Sequence, residues 1–366
     1  MKQLVVIFTL WLAWMPVGAQ KTLTLEECLK LGIENNLSLE GSRNEMRKAK
    51  HLLSENRAKL WPQISAVAGF NDNFNPPVSV TDGSAYGNLY NVTKTLQYNA
   101  SAGLQLQMPL YNQTVYTAVD IARTLNELNR LSYEKAREDL MMQISKMYYL
   151  GQNTMEQLTL IQENMVRLRE LRDITLAFFD NGMAMEVDVK RVNINLENQQ
   201  VQYDNAKSML VQQLNLLKYV MDYPADEEIT LTPVDTERIQ LASLTGLRGD
   251  LYELQLLQSQ EKLAGQQKDL IRQGYLPSLT LTGSWMYSAY TDKARHWFHS
   301  GPSNHWYPST GLGITLRVPI FDGFDKRARI RKAQIDQENA KLNYENMLKN
   351  MQTQYLNATN ELMNNQ

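Results

Sequence analysis

The chain carries its own pattern twice, and that duplication limits what it can fold into more than any composition does. Ala58-Lys59-Leu60-Trp61-Pro62-Gln63-Ile64-Ser65-Ala66 returns in kind as Gln273-Gly274-Tyr275-Leu276-Pro277-Ser278-Leu279-Thr280-Leu281. Gly103-Leu104-Gln105-Leu106-Gln107-Met108-Pro109-Leu110-Tyr111 returns as Gly313-Ile314-Thr315-Leu316-Arg317-Val318-Pro319-Ile320-Phe321. Each copy reads as helix, proline, alternating strand, polar loop, second alternating strand, proline and helix. A repeated supersecondary unit commits the 366 residues to one fold built from two half-units.

In the first copy, Thr24 followed by Glu26-Glu27 supplies an N-cap and an acidic first turn. Leu25, Leu29, Ile33, Leu52, Leu53 and Leu60 then fall at helical spacing, so one helix is expected to run to Pro62. Ile64, Ala66, Ala68 and Phe70 alternate with Ser65, Val67, Gly69 and Asn71, which predicts a strand over about 63–72 with one apolar face. Asn73 to Thr95 reads as loop. A second strand is predicted over about 99–108, with Leu104, Leu106 and Met108 opposite Gly103, Gln105 and Gln107, and Pro109 is expected to close it. From there to Pro224 the chain has no proline and two glycines, Gly151 and Gly182, so a long helical hairpin is expected over 110–222. Leu158, Ile161, Met165 and Leu168 on the way out, and Leu210, Leu214, Leu217 and Met221 on the way back, have the three-four spacing of a coiled-coil seam. Asp180-Asn181-Gly182 marks the turn. At ~1.5 Å per residue the outgoing arm reaches roughly 100 Å, the length of a rod or a wall.

After a linker, 223–240, the second copy repeats the order with a helix from Leu241, strands over about 278–287 and 311–318, and a helix from Phe321. It stops at Gln366 inside that helix, so the second unit, 241–366, is expected to be truncated before a hairpin tip of its own. Pro62, Pro109, Pro277 and Pro319 are the predicted strand boundaries. At the other end, Lys2, the apolar stretch Leu4–Trp14 and the small residues before Gln20 form a secretory signal peptide, 1–19, which takes the chain out of the cytoplasm. The remainder, 20–222, is the first repeat.

Beyond that leader, no apolar run has the ~18 residues of a spanning helix. The net charge of −2, or −3 once Lys2 leaves with the leader, lacks the basic excess of a nucleic-acid binder. A transmembrane strand needs ~9–11 residues and a barrel at least ~8 strands. Four strands cannot close alone, so they stay in water or join strands from other copies. Phe70, Tyr98, Trp285, Tyr287, Trp306 and Tyr307 crowd the strand ends and loops, as residues at the two water–lipid interfaces of a barrel do. A small soluble β-domain would use them as core instead.

Several segments together resemble the TolC-like outer-membrane efflux protein family. They are Leu23-Thr24-Leu25-Glu26-Glu27-Cys28-Leu29 with Asn35-Asn36, both strand starts, and the exits Met108-Pro109-Leu110-Tyr111 and Val318-Pro319-Ile320-Phe321-Asp322-Gly323. Phe178-Phe179-Asp180-Asn181-Gly182 followed by Glu186-Val187-Asp188-Val189 completes the set. The resemblance implies a mainly α fold with β-structure: long coiled-coil hairpins forming an α-barrel wall, and four strands given to an oligomeric transmembrane β-barrel. It implies a homotrimer in the outer membrane with its helices in the periplasm. The implied partners are outer-membrane lipid, a periplasmic adaptor protein and an inner-membrane pump. Phe178, Phe179, Asp180, Asn181, Gly182 and Asp188 would then form the periplasmic tip that meets the adaptor. An ordinary helix-hairpin turn is the plainer reading of the same residues.

Chemistry is not signalled. Nucleophile-elbow, zincin, phosphate-loop and dinucleotide motifs are missing from the sequence, so neither an enzyme nor a cofactor is expected. His296, His299 and His305 share a loop with Asp292, and an exterior loop is the better reading than a metal site. Cys28, at helical spacing with Leu25 and Leu29, reads as a small core residue. The expected function is a passive export duct of a tripartite efflux or type I secretion system. The alternative is the periplasmic adaptor, which also pairs a helical hairpin with β segments.

Overall fold

The computed structural model describes residues 21–82, 90–233, 251–291 and 306–364. The predicted leader, the linker beyond Pro233, and Asp292 with the three loop histidines lie outside the described residues. In chain order the first elements are β1 (Lys21–Leu23), α1 (Leu25–Asn35), α2 (Leu37–Ala58), β2 (Gln63–Asp72), β3 (Val78–Asp82), β4 (Tyr90–Lys94) and β5 (Tyr98–Tyr111). Then come α3 (Gln113–Asp180), α4 (Glu186–Met221), β6 (Ile229–Leu231), α5 (Tyr252–Gln273), β7 (Ser278–Thr291), β8 (Trp306–Arg317) and α6 (Asp325–Asn364). They fall into two compact units. The first gathers the described residues of Met1–Met46, Asn129–Glu253 and Tyr355–Gln366, and the second Arg47–Leu128 and Leu254–Gln354.

In the first unit, Thr24 starts α1 through a reciprocal cap: its hydroxyl accepts the Glu27 N–H at 3.3 Å, and the Glu27 carboxylate accepts the Thr24 N–H at 2.9 Å. The single helix expected from Leu25 onward is broken at Asn36. There the side-chain amide donates to the Val220 carbonyl at 2.8 Å, and its Oδ1 accepts the Leu39 N–H at 2.9 Å, so one residue ends α1 and caps α2. A long-range bond to α4 decides that break, which is why local periodicity missed it. Also unforeseen is the parallel pairing of β1 with β6, Leu23 opposite Leu231. Around it Leu23, Cys28, Ile144, Leu217, Met221 and Leu231 are fully buried. Each large apolar side chain of this core contributes roughly 1.5–3 kcal/mol. Farther along the hairpin, Ile161 and Met165 of α3 pack on Ala206 of α4 with Leu158, Leu196 and Tyr203, on the predicted seam.

The second unit holds a four-stranded antiparallel sheet in the order β2-β5-β7-β8, and a separate ribbon of β3 with β4. That ribbon corrects the reading of Asn73–Thr95 as plain loop. The β7 and β8 strands run longer than expected, so Trp306 and Tyr307 belong to β8 and not to a loop. Pro62 and Pro277 stand just before β2 and β7, and Pro319 just after β8. Pro109 is not a boundary: β5 continues to Tyr111, with an irregular register against β7 between Pro109 and Tyr111. Pairing with β2 stops at Gln107, so Pro109 has a single neighbouring strand and its missing N–H costs less there than in a strand paired on both sides.

The helix expected from Phe321 begins at Asp325. Gly323 and Phe324 both adopt positive φ, 64° and 67°. Asp322 organises this turn by accepting the N–H groups of Phe324 at 3.1 Å and Lys326 at 3.2 Å, together with the Lys326 ammonium at 3.0 Å. The hydrogen bond from Lys326 holds its carboxyl below the usual carboxylate range.

Candidate functional site

Pairing register sorts the side chains of the sheet. Directly opposed residues share a face, so one face carries Ile64, Ala66, Ala68 and Phe70 of β2 and Ala100, Ala102, Leu104, Leu106 and Met108 of β5. The same face takes Leu279, Leu281, Trp285, Tyr287 and Ala289 of β7 with Leu312, Ile314 and Leu316 of β8. The opposite face is built mainly from Gln63, Ser65, Asn71, Asn99, Gln105, Gln107, Thr280, Thr282, Ser284, Ser288, Ser309 and Thr315, interrupted by glycines. Along β8 the apolar members stand open, Leu312 at 78% and Ile314 at 64% exposure. Leaving such side chains in water forgoes roughly 1.5–3 kcal/mol each. An apolar outer face over a polar, small-residue inner face is the arrangement of a barrel wall between lipid and water.

The sheet is open at both sides. Among the described residues β2 pairs only with β5, and β8 only with β7. In hydrocarbon each unpaired backbone group costs several kcal/mol, so a sheet with this face needs other strands at both edges. The predicted aromatics sort as well. Phe70 and Trp306 lie in one row across the sheet, through Ala100 and Ala289, and Phe70 stacks on Tyr98 with centroids 6.2 Å apart. Trp285 meets Tyr287 edge-on at 5.5 Å on the same apolar face. Tyr307 faces the other way, opposite Ser288 on the polar side, so it does not join that band. No helix of the described residues is long and apolar enough to cross a membrane.

The second candidate region is the turn between α3 and α4. Gly182 adopts φ 72°, its N–H bonds to the Phe179 carbonyl at 2.9 Å, and the Met183 N–H bonds to the Phe178 carbonyl at 2.8 Å. This is a Schellman closure, in which the left-handed residue is the one with no Cβ. Asp188 supports the start of α4, where it accepts the Met185 N–H at 3.2 Å and sits 3.6 Å from Arg191. Phe178, Phe179, Met183, Met185 and Val187 are all exposed around the reversal. Met183 and Met185, at 69% and 71%, did not stand out in the sequence. Their signal was only their apolar character beside a turn, and flexible thioethers suit a surface that meets a partner.

A sheet with one lipid-type and one water-type face, in a chain that also holds the 68-residue helix α3, is the kind of material an outer-membrane channel protein is made from. The sequence pattern of the family described as outer membrane efflux protein matches residues 29–221 and 251–364, and the chain belongs to that family. It is an outer-membrane efflux channel protein with its helical part in the periplasm. Among its relatives, outer membrane protein TolC of Vibrio cholerae is 23% identical over 325 residues, covering 85% of this chain and 68% of that protein. The probable efflux pump outer membrane protein TtgC of Pseudomonas putida is 22% identical over 350 residues, covering 92% and 67%. The fold is shared with crystal structures of CusC (TM-score 0.72, 16% identity, 89% of this chain and 72% of that one). It is shared too with VceC of Vibrio cholerae (0.69, 14%, 88% and 75%). These relatives are channel proteins, not adaptors or enzymes, so the adaptor alternative fails.

Proposed function

We propose that the chain is one of three identical subunits sharing a passive export duct, with its energy supplied by a partner pump in the inner membrane. The observation that carries this reading is the four-stranded sheet with one apolar face and two edges that pair with no other strand among the described residues. The β8 edge of one copy would pair with the β2 edge of the next, a head-to-tail contact that closes on itself as a ring. Three copies would supply twelve strands, above the ~8 that a barrel requires. Residues 20–222 and 241–366 act as the two repeats of the subunit, following a leader at 1–19. Phe178, Phe179, Asp180, Asn181, Gly182 and Asp188, joined by Met183 and Met185, form the periplasmic tip, where a periplasmic adaptor docks. The system served is a tripartite efflux or type I secretion assembly. Phe70, Tyr98, Trp285, Tyr287 and Trp306 anchor the barrel at a water–lipid interface.

Extraction and mass test the proposal together. The protein should resist a high-salt wash of isolated membranes, require detergent, and then run in native mass spectrometry at three times the mass of the chain without its leader, the full 366 residues weighing 42.1 kDa. Release by salt alone, or a detergent-solubilised monomer after mild extraction, contradicts it. A photo-crosslinking residue at Met183 should capture the adaptor in cells, whereas one at Leu312 should not.

A further inference from the structure

We propose that Arg317 sets the charge preference of the duct at the helix-side end of the barrel, where it favours anionic solutes; this rests on the barrel reading above. Register places Arg317 opposite Ser278, on the polar face with Thr315 and Thr280. Across the four strands only two residues carry charge, Asp72 and Arg317. Asp72 lies opposite Tyr98, on the apolar side at the far end, and accepts a hydrogen bond from Gln97 at 2.9 Å. Among the described residues Arg317 is therefore the only charged side chain on the sheet's polar face, and it is exposed. The rest of that face is uncharged, mostly amide, hydroxyl and glycine.

The chain just beyond strengthens the same sign. The first two turns of α6 carry Lys326, Arg327, Arg329, Arg331 and Lys332 against Asp322 and Asp325. Asp322 is engaged by Lys326 at 3.0 Å and Asp325 by Arg329 at 3.6 Å, so the local excess is positive. The equivalent exit of the first copy, Pro109 to Ala122, contains no lysine or arginine. The charge belongs to one strand end and is not a by-product of the duplication.

In a water-filled barrel a ring of like charges selects permeating ions by sign. Its reach is the Debye length, ~10 Å at 0.1 M salt and ~3 Å at 1 M. The test uses the full chain purified in detergent and inserted into planar bilayers, with reversal potentials read across a KCl gradient. At about 0.1 M, the chloride-to-potassium permeability ratio should fall about twofold in R317Q and further in R317E, and stay at the wild-type value in R317K. Near 1 M the variants should converge. Each comparison is with wild type, so charges at the hairpin tip contribute equally to both arms. Unchanged ratios in both R317Q and R317E, or an R317K that behaves as R317Q, overturn the assignment. A wild-type protein that forms no conducting pore sinks the barrel reading itself.

Discussion

Gly103 leaves no room for a side chain. A Cβ there would lie 2.2 Å from the Trp285 carbonyl oxygen and 2.7 Å from the Met286 Cα, both backbone atoms of the neighbouring strand β7. Because backbone cannot swing aside as a side-chain tip can, Gly103→Val should force β5 and β7 apart at the middle of the sheet. The expected cost is about 1–3 kcal/mol, read as a lowered thermal midpoint in detergent by circular dichroism. Gly69→Ala, whose nearest neighbour is the Ser101 hydroxyl at an ordinary 3.5 Å, should leave that midpoint close to wild type. Cys28 offers a second residue-level test. Burial pushes its thiol up to about 11, so at pH 8 it is neutral and poorly nucleophilic. Maleimide should label it only after unfolding. The unfolded chain, with a thiol near 9.0, sheds its proton first. The stability tied to the neutral thiol is therefore full below that value and is lost as pH climbs towards about 11.

At the scale of elements, β8 gives the sharpest test of the two faces. Ile314 and Thr315 are neighbours in sequence yet stand on opposite sides. Ile314→Lys should cost about 2–4 kcal/mol near the middle of a bilayer, and Thr315→Lys little, since its side chain would reach water. The amount of assembled channel recovered from outer membranes should fall for the first variant and hold for the second. The strands were legible because their two-residue alternation is local and clean, from Ile64 to Phe70 and from Leu104 to Met108. The hairpin turn was legible because Asp-Asn-Gly is a strong breaker and Gly182 does adopt the left-handed conformation. What escaped were features set by distant partners. Asn36 breaks its helix because the Val220 carbonyl accepts its amide. Residues Lys21–Leu23 become a strand because Ile229–Leu231 lies beside them. Pro109 sits within a strand because β2 has already ended its pairing there.

For the whole molecule, the decisive property is incompleteness. Buried cores such as the one around Ile144 and Leu217 hold the first unit together, whereas the sheet of the second exposes a hydrocarbon-like face and, among the described residues, two unpaired edges. If neighbouring copies supply the missing pairs, cysteines placed on the polar side of both edge strands should bridge between chains. With Ser65→Cys on β2 and cysteine scanned through Ser309, Gly311 and Gly313 on β8, oxidation should yield a ladder of dimers and trimers for one register. Cys28 is the chain's single native cysteine and is buried, so background bridging should be negligible. A monomer band at every position would show that the edges meet something else.

The amino-acid order by itself determined the duplication, the strand periods, the long hairpin and its turn, because each depends on contacts within a few residues. Only the tertiary structure decided how the four strands lie side by side, and therefore that Leu104 of β5 shares a face with Trp285 of β7 while Gln105 and Ser284 share the other. Faces within one strand follow from alternation. Faces across strands follow from register, which between β5 and β7 is set by pairing of segments nearly two hundred residues apart and leaves no mark in any short stretch of sequence.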